Sequence, residues 1–516
     1  MKLSYETLRE KINGCWQGKN IGGILGAPFE CYRQVNDVSF YTQDFSKGIP
    51  MNDDLDLQLV WLNAVEKYGR NVNASILGDY WLSYIVPDWS EYGISKGNMR
   101  AGLQPPLSGH VSNPYKDSCG CFIRSEIWAC LCAGHPELAA RYAYEDAIVD
   151  HAGEGMYAEI FCAALQAAAF VESDMDKLVK IGLSYIPEDC KVREAVETAI
   201  ECYNSGKSWL EAREILFERV PGSFALNMPH MTLDTLNETE KNTQVGMDAP
   251  NNIGIMMIGW LYGEGDFGKS LCIAVNCGED TDCTAATLGA IMGIIHGEKG
   301  LPEKWIEPIG GAIEIGCINI HTPYLWLPKN VYELSDRVLR NIPAFMGPEL
   351  CDIMCGDDVF ELETAEKLEY SGDCRYLKDI ALPDVSHEPA LGERLALSPY
   401  CVYNSFTTFY TVLDYMDEPY IKQGEARRMR LTVSDNSSIG QTNWIDVTIY
   451  TPEGVNILQG KHFSMQLPNR YKKQAVVEFD VFAEVINSGK VEFMIDIAQA
   501  GRHTYGAVKA TLYASC

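Results

Sequence analysis

The sequence predicts a mainly α-helical domain followed by a smaller antiparallel β-sandwich. Three observations carry that prediction. Apolar residues recur at intervals of three and four through the first 330 or so residues. Beyond Pro383 the texture changes to apolar–polar alternation broken by Gly, Asn and Pro. The chain, at 516 residues, is also too long for one ordinary core.

In chain order, the helical period is clear in YETLREKINGCW, LDLQLVWLNAVEKY, GMYAEIFCAALQAAAF, VREAVETAIECYNSG and SWLEAREILFERV. Two long loops are expected between them. One is Gly93–Pro114, rich in Gly and Pro; the other is Pro229–Asn252, polar and rich in Thr and Asn. A short helical tail and a connector follow, DRVLRNIPAFM and then ELETAEKLEY. Strands are expected at RMRLTVSD, WIDVTIYTPEG, QAVVEFDVF, KVEFMIDIA and AVKATLYA, at sandwich spacing. The boundary is placed near 385, giving a helical domain over 1–385 and a β domain over 386–516. The aromatic residues Tyr400, Tyr403, Phe406, Phe409 and Tyr410 of the latter are read as core rather than as a carbohydrate platform. The β domain is also where an oligomer contact is expected.

Composition narrows the function. Lys and Arg number 42 against 71 Asp and Glu, a formal net charge of −29. Such a surface repels phosphate backbones and anionic lipid, which disfavours nucleic acid and membranes as partners and favours divalent cations where carboxylates converge. The N-terminal residues lack a signal-peptide core, and no apolar run reaches the roughly 18 residues of a membrane span. A cytoplasmic location is therefore expected, and with it eighteen reduced cysteines serving mostly as small buried apolar groups. Cys119, Cys121, Cys130 and Cys132 form two C-x-C pairs, but zinc pairs are usually spaced C-x-x-C, and these lie on what reads as a helix face.

Two glycine ladders stand out. Gly14, Gly18, Gly22 and Gly26 lie four apart, as do Gly289, Gly293 and Gly297. On a helix each series forms a ridge without side chains, and each interior glycine costs about 1 kcal/mol relative to alanine. Close approach of another backbone explains that cost, so the two helices are expected to pack closely, on one another. A phosphate-binding loop is excluded by the lack of a GK[ST] ending and of a preceding strand.

Acids cluster at two helix starts. MNDDLDLQ places Asn52, Asp53 and Asp54 before one apolar helix, and GEDTDCTAATLG places Asp280, Asp282 and Cys283 before another. Capping and the helix dipole account for one acid at each start. Two multi-acid clusters point further, to an oxygen-rich site for a hard cation such as Mg²⁺ or Mn²⁺. If the clusters meet, each like-charged pair at ~4 Å and an effective dielectric of ~20 costs about 4 kcal/mol unless a cation or a raised pKa relieves it. Glu30, just past the first ladder, is a further candidate. So are Asp150, His151 and Glu154 at the GEG turn before another helix.

Together these segments resemble the ADP-ribosylglycohydrolase family of the dinitrogenase-reductase-activating glycohydrolase type. GKNIGGILGAPFE, MNDDLDLQ, SCGCFIRSE, VDHAGEGMY and NCGEDTDCTAATLGAIMG match its motifs in order over about residues 8–300. The resemblance implies an all-α, orthogonally packed domain with one or two Mg²⁺ or Mn²⁺ ions. It implies hydrolysis of a bond at the anomeric carbon of a ribosyl group, in a small-molecule or protein-linked substrate. Carried over, Asp53, Asp54, Asp280 and Asp282 are metal ligands, with Asn52 and Cys283 at the two remaining ligand positions. Glu30, with Asp54 beside it, is the catalytic carboxylate. Gly120, Asp150, His151 and Glu154 line the substrate pocket. The chain departs from the family pattern in having Asn52 and Cys283 where threonines are usual, and Glu279 where glycine is usual. Asn keeps a neutral oxygen donor, whereas a thiol is a poor ligand for a hard ion. These departures give the alternative reading of an inactive, ligand-binding homologue. A metal phosphohydrolase is a third reading, disfavoured because His151 is the only histidine near the acids.

Overall fold

The computed structural model describes all residues except 31–32, 223–245, 320–324, 354–358, 373–388, 436–441, 469–473, 502, 504 and 516. The expected boundary near 385 and most of the Pro229–Asn252 loop lie outside the described residues. The chain divides into two compact units, one of Met1–Lys96 with Ser112–Ser371, the other of Gly97–Val111 with Gly372–Cys516.

The first unit is helical, and its centre is a pair of helices. Tyr5–Gly26 is capped by Ser4, whose hydroxyl accepts the Thr7 amide at 3.2 Å, and it is buried without a break from Ile12 to Gly26. Thr281–His296 is buried from Thr281 to Ile294. A helix apolar on every side belongs in the middle of a domain. The two lie against each other in antiparallel register. A methyl group on Gly14 would overlap the carbonyl oxygen of Gly293; one on Gly18, that of Gly289; one on Gly22, that of Ala285; and one on Gly26, that of Thr281. The reciprocal clashes hold for Gly289 and Gly293. The ladders are thus one interface read twice, as expected. Its register brings the C-terminus of the first helix to the N-terminus of the second.

Around this pair stand Asp53–Tyr68, Glu154–Ala169, Ala249–Gly263, Phe267–Asn276 and Val331–Met346, with other helices outside them. A small sheet the periodicity did not foretell joins them, with Lys2–Ser4 and Cys351–Ile353 flanking Phe360–Glu363. Its strands are three or four residues long, too short for a period-two signal, and part of ELETAEKLEY is strand rather than connector. The described cysteines are all free thiols and all buried. Among the described residues, no helix is long and apolar enough to cross a membrane.

His135, ahead of the Pro136–Ala147 helix, ties it to this sheet: its Nε2 lies 2.7 Å from the Glu363 carbonyl oxygen. Burial holds the imidazole down at about 4, so it is neutral in the fold, whereas an unfolded histidine titrates near 6.5. A depressed pKa contributes stability that is present above 6.5 and lost as the pH falls through 4. Over that window wild type should lose about 3 kcal/mol that His135→Gln keeps. Urea unfolding at steps between pH 7 and 4 checks this, and parallel profiles for the two proteins would refute it.

The second unit is a β-sandwich. One sheet runs in the order His462–Leu467, Asn443–Tyr450, Lys490–Gln499, Tyr505–Ser515, Tyr420–Lys422; the other in the order Cys401–Ser405, Phe409–Asp414, Ala426–Asp435, Gln474–Ala483, Val455–Ile457. All pairings are antiparallel except that of Tyr505–Ser515 with Tyr420–Lys422. Alternate residues of both sheets meet in a shared core, with Phe479 and Phe493 edge to face across it at 6.4 Å. Of the five aromatic residues read as core, Phe409 is fully buried and Tyr400 and Phe406 pack against the core, while Tyr403 and Tyr410 are half-buried neighbours of one another. The Gly93–Pro114 stretch, expected to be a loop, is instead largely ordered. It holds a helix at Ser90–Arg100 and a helical turn at Leu107–His110. Leu103, Leu107 and Val111 belong to the sandwich core, and Thr511 and Lys490 bond the carbonyls of Gly102 and Ala101 at 3.0 and 2.8 Å. Its Gly and Pro content hid a short apolar spacing of four.

Candidate functional site

The helix pair sets the site. Where the first helix ends, Thr281 Oγ1 donates to the Gly26 carbonyl oxygen at 2.9 Å. The chain then turns through Ala27–Phe29 to Glu30, which is thereby delivered to the start of the second helix. The Asp53–Tyr68 helix brings the second acid cluster to the same place.

Three groups of side chains converge there, each with ligand atoms within 4.8 Å of one another: Glu30, Asp280 and Asp282; Asp54, Asp282 and Cys283; Cys119, Asp280 and Cys283. Asp280, Asp282 and Cys283 each belong to two groups, so the three are one continuous cluster. Asp53 belongs to none of them; it is half-buried, with the Cys317 sulfur 4.0 Å from its Oδ2.

Capping does not explain these residues. Asn52 and Asp280 occupy the two cap positions, yet neither side chain accepts a capping bond. The Asn52 amide instead donates to Asn20 Oδ1 at 3.2 Å, in the space left by the missing side chain of Gly23. Asp280 accepts from Cys119 Sγ at 2.7 Å, and its own amide donates to Asn252 Oδ1 at 3.2 Å. The Asp54 Oδ2 and Asp280 Oδ1 atoms are buried without a hydrogen-bond partner. An orphaned buried polar atom costs about 1–3 kcal/mol, and more when charged. A divalent cation removes that cost, so the residues present fit the ion that the sequence pattern implies.

The electrostatics agree. Burial pushes Asp54 up to about 8, only partly opposed by the Lys19 ammonium. Burial, then the neighbouring Glu30, Asp280 and Asp54, hold Asp282 well above the carboxylate range. Burial likewise raises Asp53. Acids that are strained in this way without a counter-ion form a site that a dication relaxes.

The family model for ADP-ribosylglycohydrolases matches residues 4–340. The chain belongs to the ADP-ribosylglycohydrolase family. Among solved structures, this family member is similar to an "ADP-ribosylglycohydrolase-related protein complex" at 16% identity, over 66% of this chain and 98% of that one, with a TM-score of 0.43. It is also similar to Pseudomonas fluorescens alkylpurine DNA glycosylase AlkC bound to DNA containing an abasic site analog, at 10% identity, over 90% and 99% of the two chains, with a TM-score of 0.14. At these scores neither likeness adds to the family match. No curated protein is significantly similar to the chain.

In this family member the other expected pocket residues have partners within the fold. Asp150 and His151 are fully buried, not poised at an open turn. The Arg124 guanidinium reaches both Asp150 oxygens, at 3.1 and 2.5 Å, and also Asp146 Oδ1 at 2.8 Å. Burial opposes the Asp150 charge, but Arg124 and His151 hold it below the ordinary carboxylate range. His151 lies 2.9 Å from Asp150 through Nδ1 and 2.8 Å from Ser118 Oγ through Nε2. Glu154, expected at the substrate pocket, takes the amides of Lys191 and Val192 at 2.9 and 3.0 Å and so caps the Lys191–Asn204 helix. Gly120 is small because Glu91 Oε1 occupies the space beside it. Glu279 adds no free charge: Arg33 grips both its oxygens, at 2.5 and 2.8 Å, and its φ of +68° is the backbone for which glycine is usual.

Several supporting residues carried no recognised signal. Lys19, lone and fully buried in the first helix, lies 3.3 Å from Glu126, which Gln58 and Gln166 bond at 2.9 and 3.0 Å. Asp56, one turn into its helix, receives the amides of Gly316, at 2.7 Å, and Cys317. Burial takes it up to about 7 against those amides. The run of uncharged residues around Lys19 was the available clue: a single cation in a buried helix needs a buried anion. Of the four paired C-x-C thiols, the candidate ligand groups include only Cys119, and it joins Asp280 and Cys283 rather than its sequence neighbours.

Proposed function

We propose that the chain is a metal-dependent hydrolase of a glycosidic bond to a ribosyl group, ADP-ribosyl or nucleoside-like. The observation that carries this reading is the convergence of Glu30, Asp54, Asp280 and Asp282, from three separate elements, into one buried cluster with orphaned oxygens. Asp54, Asp280 and Asp282 would hold one or two Mg²⁺ or Mn²⁺ ions. A bound ion supplies a Lewis acid and a water of lowered pKa. Glu30, half-buried at the edge of the cluster, is the carboxylate placed to take the proton of a water that attacks the anomeric carbon. The buried Lys19 ammonium favours the ionised form of Asp54 that such an ion needs. The formal net charge of −29, with carboxylates converging here, makes the cluster a poor seat for a diphosphate-bearing substrate until cations neutralise it, which ties substrate binding to the ion.

A screen of ADP-ribosylated protein, ADP-ribose derivatives and nucleosides, with Mn²⁺, with Mg²⁺ and with a chelator, tests this. Ion-dependent release of a ribosyl product is expected. Turnover that survives chelation would sink the metal mechanism. Ion binding without cleavage of any substrate would favour the inactive homologue instead.

A further inference from the structure

The hydrolytic reading makes no use of the two thiols in the cluster. Cys119 enters from the C-x-C segment and is fully buried; Cys283 lies in the first turn of the Thr281–His296 helix and is 7% exposed. Cys119 Sγ is 2.7 Å from Asp280 Oδ2, and Cys283 Sγ is 3.5 Å from Asp54 Oδ1. The two sulfurs and an Asp280 oxygen lie within 4.8 Å of one another. A second observation points to a ligand: Asp280 is 1% exposed, and its other oxygen, Oδ1, is buried with no partner. Asp54 Oδ2, beside Cys283, is orphaned too.

We propose that Cys119, Cys283 and Asp280 form a thiolate-rich site for a borderline ion, Zn²⁺ or Fe²⁺, next to the oxygen-only set of Glu30, Asp280 and Asp282. The proposal rests on the metal-hydrolase reading and makes its two ion positions chemically unequal. Thiolates select zinc and iron over Mg²⁺ and Mn²⁺, whereas carboxylates alone favour the hard ions. The ligand atoms of a tetrahedral zinc site lie about 3.5 Å apart, inside the 4.8 Å that bounds these three. Asp54 is at hand as a fourth donor. Charge balances in the buried site: two thiol protons leave for solvent as one dication arrives, so the net charge is unchanged. Among the described residues, the other thiols belong to none of the candidate ligand groups. Cys202, for instance, lies in the Lys191–Asn204 helix and belongs to none of the candidate ligand groups.

Co²⁺ is the probe. The full chain, purified under a non-chelating reductant and stripped of metal, is titrated with Co²⁺ and its absorption recorded. A near-ultraviolet thiolate-to-cobalt charge-transfer band is expected, cut to about half in Cys119→Ser and in Cys283→Ser, lost when both are replaced, and retained in Cys202→Ser. Zn²⁺ should displace the bound Co²⁺ at far lower excess than Mn²⁺. Cys283→Ser should narrow that preference by at least the roughly 10- to 100-fold that altering a partner behind a ligand costs, because it replaces a thiolate that touches the ion. Unfolding curves of the ion-free variants that match wild type establish that they fold. Co²⁺ binding without a thiolate band, or a band undiminished in both serine variants, overturns the proposal while leaving the metal-hydrolase reading intact. Failure of wild type to bind any divalent ion overturns both.

Discussion

Asp282→Ala should lose divalent-ion binding and turnover together, while its ion-free form is at least as stable as wild type. Asp282 belongs to two of the three convergent groups, so its removal takes a ligand from the oxygen-only set and from the set containing Asp54. Without an ion, wild type is penalised. Asp282 is held well above the carboxylate range by burial and by Glu30, Asp280 and Asp54, and Asp54 is held at about 8. A raised pKa means stability that is fully present below the unfolded value, about 3.9, and lost as the pH rises through the folded one. The ion-free protein should therefore weaken between pH 4 and 8, with Asp56, at about 7, adding to the slope. Saturating ion reverses the trend, because the ligands must be deprotonated to bind it. At 100 times its dissociation constant an ion contributes about 2.7 kcal/mol to wild type and nothing to the variant. Thermal unfolding of both proteins at pH 5 and 8, with and without Mn²⁺, reads all of this. An Asp282→Ala protein that retains the ion-dependent shift, or the turnover, contradicts the assignment.

Much of this arrangement was legible, and the reason is periodicity. Glycines four apart on two segments can only mark two ridges, and two ridges without side chains suit each other better than anything else in the chain. The strands after Pro383 declared themselves by alternation. The acid pairs declared themselves by standing where one acid would have sufficed. What stayed hidden was partnership. Nothing near Asp150 in sequence says that Arg124, 26 residues earlier, will bury it, and nothing near Glu279 announces Arg33. Sequence alone therefore leaves both acids looking like unpaired charges, whereas each is paired with a distant arginine. Capping was the natural account of Asn52 and Asp280, but local preference yielded to tertiary contacts with Asn20 and Cys119. Leu103, Leu107 and Val111 were masked by surrounding Gly and Pro, which mark turns locally yet say nothing about what a turn packs against.

The helix pair itself predicts the second large effect. Gly18→Ala and Gly289→Ala should each destabilise the protein by several kcal/mol, against the intrinsic preference. In an open helix, alanine gains about 1 kcal/mol over glycine. Here the added methyl overlaps a carbonyl oxygen of the facing helix, and both helices are buried on all sides, so neither can retreat without repacking its neighbours. Gly97→Ala is the contrast. Gly97 sits in the Ser90–Arg100 helix, with open space where its methyl would go, and it should be neutral or gain up to about 1 kcal/mol. The register adds a functional gradient. Gly22 faces Ala285, one turn from the metal-binding end, whereas Gly14 faces Gly293 at the far end. Forcing the helices apart at Gly22 separates Glu30 from Asp280 and Asp282, whose convergence depends on that crossing. Gly22→Ala should therefore weaken ion affinity much more than Gly14→Ala, although the two cost similar amounts in unfolding free energy. Paired urea unfolding and Mn²⁺ titration of the two variants separate the effects. Equal losses of affinity at both ends would mean that the glycines only support the fold; a loss graded toward Gly22 means that the same close contact which stabilises the helix pair also sets the distances within the metal cluster.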